Sequence, residues 1–436
     1  MQKKIKNKII RLIQHITYRQ DKRLVERFYL NKYDVDKPFI DKKLDSMLRH
    51  AVKNVPYYNN LKPNLNSFPI VTKSVFQNYG ERQFMSNNRR FMGYYAMNTG
   101  GSTGEPFEFY RDVRTGIIDN IHQEIQHVKM GFTDDDILVV FNGCNITDEK
   151  IKRNEFWNKK NKNQLPFGSI EFSTHHLTKD NISYYLKKLS NIKPTYIRGY
   201  PSSMSEFTRL LMEIGLERRP FDLKGIQLSS EVCSEDQLAM LESYWGKNVV
   251  YFQYGHSEAA SVASNYPSES CYVFSPYYGL VEILDEAGVH VKKGEIGRIV
   301  VTSLHNYARP IIRYDTGDMA IYLDCVDYVT TVSKILGREQ DYVVDINNQR
   351  VSITSLVFGQ HFKAFRNIVN WQIHNPSPGK IIVYIIKSND WSTTDHDEVS
   401  LKLSFDNRFS VDIEFVKVIE KTKAGKNKLV IGMKDV

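Results

Sequence analysis

The sequence predicts an α/β protein in two parts: residues 1–336 as a large N-terminal domain with parallel sheet and a β-rich subdomain, and residues 337–436 as a small α+β C-terminal domain. Three observations predict it. Strand-like runs alternate with helical patterns through the middle of the chain, which implies a mainly parallel sheet with ligands at the carboxyl ends of its strands. From about Tyr278 the pattern turns to short β segments joined by glycine-containing turns. Beyond Gly337 the chain carries strands of its own.

In chain order, the basic stretch "MQKKIKNKIIRLIQHITYRQDKR" opens the sequence, with Ile5, Ile9, Ile10, Leu12, Ile13 and Ile16 at near-helical spacing. It reads as a helix packed on its own domain or as one touching an anionic membrane surface. The runs "DILVVFN" (136–142), "PTYIRGY" (194–200), "GIQLSS" (225–230) and "NVVYFQY" (248–254) are rich in β-branched and aromatic residues and read as strands. Two helices stand between them. One starts at Pro201, a residue suited to the first helical position, and runs through Met204, Phe207, Leu210, Leu211 and Ile214 to Gly215. The other starts at Ser234, with Gln237 three residues on, and stops at Gly246 after Trp245. Then follow "YGLVEILDEAGVHV" and "GEIGRIVVTSL", and beyond Gly337 the strands "KIIVYIIKS" and "VDIEFVKVIE".

Composition excludes several classes. Cys144, Cys233, Cys271 and Cys325 lie far apart without a C-x-x-C pair, against a disulfide framework or a sequence-local zinc site. No apolar run approaches the roughly 18 residues of a membrane helix, and the N-terminus lacks a signal-peptide pattern. The net charge of +9 is dispersed along 436 residues with no nucleic-acid motif, so it reads as solvated surface. We therefore expect a cytoplasmic protein with no nucleic-acid partner.

The chemistry starts at "MNTGGSTGEPFEFY" (97–110). Thr99, Gly100, Gly101, Ser102, Thr103 and Gly104 combine small residues, which let backbone N–H groups approach an anion, with hydroxyl donors. Without a following Gly-Lys-Ser/Thr it is not a P-loop, and alone it reads equally as a polar hairpin loop. Three further clusters follow: "YGHSE" (254–258), "IRYDTGD" (312–318) and "KTKAGKNKLV" (421–430). Singly, each is an ordinary cap, turn or exposed lysine.

In this order, with "GREQD" before the last, the clusters resemble the adenylate-forming superfamily of acyl-CoA synthetases, adenylation domains and luciferases. Within it they are most similar to the phenylacetate–CoA ligase and CapK-like branch. The resemblance implies a mobile C-terminal lid on the larger domain, and the following roles. Thr99 to Gly104 would hold the ATP phosphates, and Ser229, Ser230 and Glu231 would form the adenine-side loop. Tyr254 and Gly255 would flank the base, Glu258 would hold Mg²⁺, Asp318 would accept from the ribose hydroxyls, and Arg338 would lie near the ribose. Lys426 would reach the carboxylate and α-phosphate, offsetting the charge that develops there. The acyl pocket would lie around "IRGYPSS" and "YGHSEAA", with Tyr200, His256 and Ser257 as substrate-side residues; His256 is either a pocket contact or a packed residue.

The implied activity is ATP-dependent conversion of a small carboxylic acid, possibly an amino acid, to an acyl-adenylate with release of pyrophosphate. Transfer to a nucleophile follows. Coenzyme A is the default acceptor, and an amine or hydroxyl on a sugar intermediate of surface polysaccharide synthesis is its rival. Departures from the pattern are Phe107 after Pro106, Gln340 at the hinge, and Asn347 and Asn348 where a glycine is expected near the thiol channel. Asparagine tolerates positive φ, so that turn can survive. These departures motivate a second reading, a nucleotide-binding scaffold without turnover. Some members of the resembled superfamily carry a zinc site of Cys and His after the YG-x-S/T-E motif; here Asn265 and Phe274 stand at its ligand positions, so the resemblance implies no zinc.

Overall fold

A computed structural model describes residues 18–88, 93–98, 108–160, 168–233, 235–338, 342–352, 356, 363–405, 407–420 and 429–431. The basic N-terminal stretch up to residue 17 lies outside these, as do the glycine loop 99–104, Phe107, Ser234, Gln340 and Lys426.

A twelve-stranded sheet organises the chain through Arg338. Its parallel half is formed by Ile170–Ser173, Leu138–Asn142, Tyr196–Gly199, Gly225–Ser229 and Val250–Gly255, with Trp157–Lys159 antiparallel at the edge. The expected strands are thus all present, each within two residues of its predicted bounds. The direction then reverses. Val262–Asn265, Tyr272–Phe274, Val329–Arg338, Tyr314–Val326, Ile296–Ser303 and Gly279–Leu284 continue the same sheet as an antiparallel half. The β-rich segment is therefore hydrogen-bonded onto the parallel strands. Gly279 is required at this half: a Cβ there would lie 1.9 Å from the Ala260 carbonyl oxygen.

Helix Pro201–Glu213 forms where the sequence predicts it. Proline takes the first position, the Tyr200 N–H donates to Ser203 Oγ at 3.1 Å, and Gly215 ends the run at φ +83°. Helix Glu235–Trp245 ends at Gly246, φ +116°, after the fully buried Trp245. Together with Ile182–Ile192 these helices cover one face of the parallel strands with an apolar core. It includes Phe141, Ile197, Phe207, Ile226, Leu228, Leu241 and Val250. Helix Val113–Lys129 covers the other face and in turn packs against Arg19–Leu30.

A separate four-stranded sheet follows, in the order Ser410–Phe415, Lys380–Lys387, Ile368–Ser377, Val430–Ile431. With helix Thr393–Ser404 it encloses its own core of Val343, Ile373, Val383, Ile385, Val399 and Leu403. Ahead of it a separate two-stranded hairpin, Tyr342–Val344 with Arg350–Ser352, turns around the buried Asp345 carboxylate, whose Oδ1 accepts from the N–H groups of Asn347 (2.9 Å) and Gln349 (2.7 Å). Asn348 sits at φ +58°, the conformation a glycine would supply. Among the described residues no helix is long and apolar enough to cross a membrane.

Candidate nucleotide and acid site

The carboxyl ends of the parallel strands meet the antiparallel half where Val250–Gly255 passes to Val262–Asn265, and Tyr254, Glu258, Tyr314 and Asp318 gather there. Tyr254 and Asp318, far apart in sequence, are joined by a 2.7 Å hydrogen bond from the Tyr254 hydroxyl to Asp318 Oδ2. Burial, with Asp318 beside it, holds the Tyr254 hydroxyl protonated well above its usual range.

Asp318 reaches the cleft because its strand swells. Val300 pairs with Asp315 and Arg298 with Met319, so Thr316, Gly317 and Asp318 together face the single residue Ile299. Three contacts shape the swelling: Gly317 at φ +75°, its N–H to Asp315 Oδ1 (2.9 Å), and the Asp318 N–H to Thr316 Oγ1 (3.1 Å). On its other side Asp318 pairs in register with Arg338, so the backbone brings these two motif residues together.

Glu258 stands in the short connection after Gly255. Its Oε1 accepts from the Tyr314 hydroxyl (3.1 Å) and its Oε2 lies 3.2 Å from His256 Nδ1, while His256 Nε2 lies 3.2 Å from Ser261 Oγ. Burial alone would raise the Glu258 pKa, but the hydrogen bond and charge of His256, with the Tyr314 hydroxyl, outweigh it and lower the value to about 2. His256 therefore has both ring nitrogens engaged within the protein and positions Glu258. Ser257 contributes its carbonyl, which accepts from the Arg111 guanidinium. The connection is conformationally taut: Ala259 takes φ +55° and Arg313, just before the Tyr314 strand, φ +46°.

On the neighbouring strand, Ser229 ends Gly225–Ser229 and Ser230 turns at φ +71°. Glu231 Oε2 then accepts from the Ser202 N–H (3.1 Å), tying this loop to the start of helix Pro201–Glu213 beside Tyr200. Burial, followed by the nearby Glu231 charge, raises the Tyr200 pKa.

Glu258 also has the properties a Mg²⁺ ligand needs. It is ionised, and among the described residues no lysine or arginine is paired with it; a single carboxylate completed by phosphate oxygens suits this ion. Among the described residues no group of three or more His, Cys, Asp or Glu could hold a metal by itself.

One further contributor lies inside a motif: Tyr314, the tyrosine of "IRYDTGD", whose hydroxyl reaches Glu258.

The fold is the one found in adenylate-forming ligases. The chain overlays on 2-hydroxyisobutyryl-CoA ligase in its postadenylation state with a TM-score of 0.63, at 16% identity, covering 90% of this chain and 88% of that one. It overlays on AtGH3.15 acyl acid amido synthetase with a TM-score of 0.60, at 14% identity, covering 91% and 89%. In sequence, the chain is similar to protein CapK of Staphylococcus aureus, 24% identical over 430 residues, or 90% of this chain and 88% of CapK. Residues 346–433 match the CapK C-terminal domain family.

Proposed function

We propose that this protein activates a small carboxylic acid with ATP, forming an acyl-adenylate and releasing pyrophosphate, and then transfers the acyl group to a nucleophile. The observation that carries this is a pair of carboxylates beside the ends of the parallel strands: half-buried Asp318, reached by Tyr254, and buried Glu258, held ionised by His256 and Tyr314. In this reading Asp318 binds the ribose hydroxyls with Arg338 beside it. Ser229, Ser230 and Glu231 line the base with Tyr254 and Gly255. The amides and hydroxyls of residues 99–104 hold the phosphates. Glu258 would hold Mg²⁺, which when bound neutralises phosphate charge. Residues 337–436 act as a lid carrying Lys426 to the reacting carboxylate and α-phosphate.

Coenzyme A is the acceptor this reading places first. Similarity to CapK and the CapK C-terminal domain match favour the second acceptor, an amine or hydroxyl of a surface-polysaccharide intermediate. The asparagine-bearing turn at Asn347 and Asn348 supports the same alternative. The deciding experiment is ATP–pyrophosphate exchange over a panel of carboxylic acids, followed by acyl transfer to coenzyme A or to amino sugars. Absence of exchange with every acid, in protein that binds ATP, would leave the scaffold reading in its place.

A further inference from the structure

The face of the parallel strands under helix Val113–Lys129 carries a polar layer that the nucleotide cleft does not use. Sheet register sets Arg198 opposite Gln227 and Gln227 opposite Tyr251, with Gln253 two residues farther along on the same face. Arg198 Nη1 donates to Gln123 Oε1 on the covering helix (2.6 Å) and Nη2 to Gln253 Oε1 (3.3 Å). Both partners are neutral amides. The carboxylate that acts on Arg198, Asp119, does so at one remove: it accepts from Gln123 Nε2 (3.3 Å) and from the Tyr278 hydroxyl (2.9 Å). Among the described residues no carboxylate forms an ion pair with Arg198, and these two bonds use only part of its five-donor fork.

Its neighbours are equally incomplete. The Gln227 side chain is fully buried, yet its Nε2 and its Oε1 are both unpartnered, as is the Tyr251 hydroxyl on the neighbouring strand. A buried amide or hydroxyl without a partner is unfavourable, and a guanidinium with no carboxylate in direct contact keeps donors free for one. Apolar residues at the same positions would make a better core, as they do on the opposite face of these very strands. The layer therefore has the donor and acceptor set of a binding site for an anion.

Its position names the anion's role. Arg198 lies two residues before Tyr200, at which the strand ends, so the layer sits about 7 Å along the strand from the ends where the reacting carboxylate must meet the nucleotide. That is the span of a short acyl chain. We propose that Arg198, with Gln227 and Gln253, forms the distal end of the acyl pocket and selects acids that carry a second carboxylate. This rests on the acid-activating reading above. One planar guanidinium between neutral amides fits one carboxylate, in a two-pronged pair.

The test is equilibrium binding by calorimetry to the full chain in the presence of AMP, comparing succinate and glutarate with butyrate and valerate. Wild type should bind the better dicarboxylate at least about tenfold more tightly than the monocarboxylate of equal length. Arg198→Met should remove that preference and keep monocarboxylate binding. Gln227→Leu provides a second arm: it should raise the melting temperature of the free protein, by removing an unpartnered buried amide, and weaken dicarboxylate binding. Equal binding of the two classes, no dicarboxylate binding, or a preference that survives Arg198→Met would overturn the proposal. ATP–pyrophosphate exchange separates this outcome from the broader reading. Dicarboxylate binding without exchange retires the ligase and keeps the pocket, whereas exchange with monocarboxylates alone retires the pocket and keeps the ligase.

Discussion

The two faces of the parallel strands are built by opposite rules. On one face Ile197, Ile226, Leu228 and Val250 meet helices Pro201–Glu213 and Glu235–Trp245, and the packing is aromatic and dry. Phe207 lies stacked on Trp245, ring centroids 6.0 Å apart at 13°, and Phe141 stacks on Phe172 at 5.2 Å. The polar atom there has its partner: Trp245 Nε1 donates to Thr208 Oγ1 at 2.8 Å. On the other face the same strands present Arg198, Gln227, Tyr251 and Gln253, with Gln123 and His127 coming down from the covering helix. Strands of a parallel sheet covered on both sides usually read as continuous apolar runs. Here they alternate although both faces are buried. Stability thus resides on the helix-pair face, and the opposite face has been left with unmet hydrogen-bonding capacity, which is what a ligand-binding wall requires.

The comparison breaks most readily at its dry side. Phe207→Ala should cost about 3–5 kcal/mol, the usual loss for a buried aromatic truncated to a cavity, measured by urea unfolding. A loss under about 1 kcal/mol would show that this face is not where the fold is held.

Glu258 tests the motif residues beside the strand ends. Its folded-state pKa, about 2, lies below the ordinary value of 4.5, so its ionised form stabilises the fold. The contribution, about 3 kcal/mol, is complete above pH 4.5 and is lost as the pH falls toward 2. Glu258→Gln should therefore be less stable than wild type by that amount at pH 5–6, and the two should converge near pH 2. Parallel stability curves across this range would mean that Glu258 is not held ionised by its neighbours.

A smaller effect is expected from Asp318→Ala. If the carboxylate grips a ribose, AMP affinity should fall by about 1.5–3 kcal/mol, while inhibition by tripolyphosphate stays unchanged. Unaltered AMP binding would reduce the Tyr254–Asp318 contact to a structural clasp. The smallest change sharpens the contrast between faces. Thr208→Val strands the buried Trp245 indole N–H and should destabilise by about 1–2 kcal/mol, read by thermal melting. On the wet face Gln227→Leu should move stability the opposite way.

Much of this was legible along the chain. The punctuation of helix Pro201–Glu213, the strands on either side, and the motif tyrosine, glutamate and aspartate are all local patterns, set by proline and glycine geometry and by two-residue alternation. The contacts that give those residues their chemistry are not local. Tyr314 reaches Glu258 across 56 residues, Tyr254 reaches Asp318 across 64, and Arg198 reaches Gln123 across 75. No periodicity spans such separations.

By itself, then, the sequence determined an α/β chain with a strand-rich second half, and which residue types were available for phosphate, ribose and metal chemistry, because these depend on local backbone preference and side-chain identity. Tertiary structure alone decided that the parallel and antiparallel strands join in one twelve-stranded sheet, and that the swelling at Thr316–Asp318 turns a carboxylate into the cleft. It decided also that Arg198 is half-buried between amides rather than beside an acid. The physical reason is that strand order, register and the choice of covering helix are fixed by burial summed over distant segments, and the charge balance of any one side chain follows only after they are set.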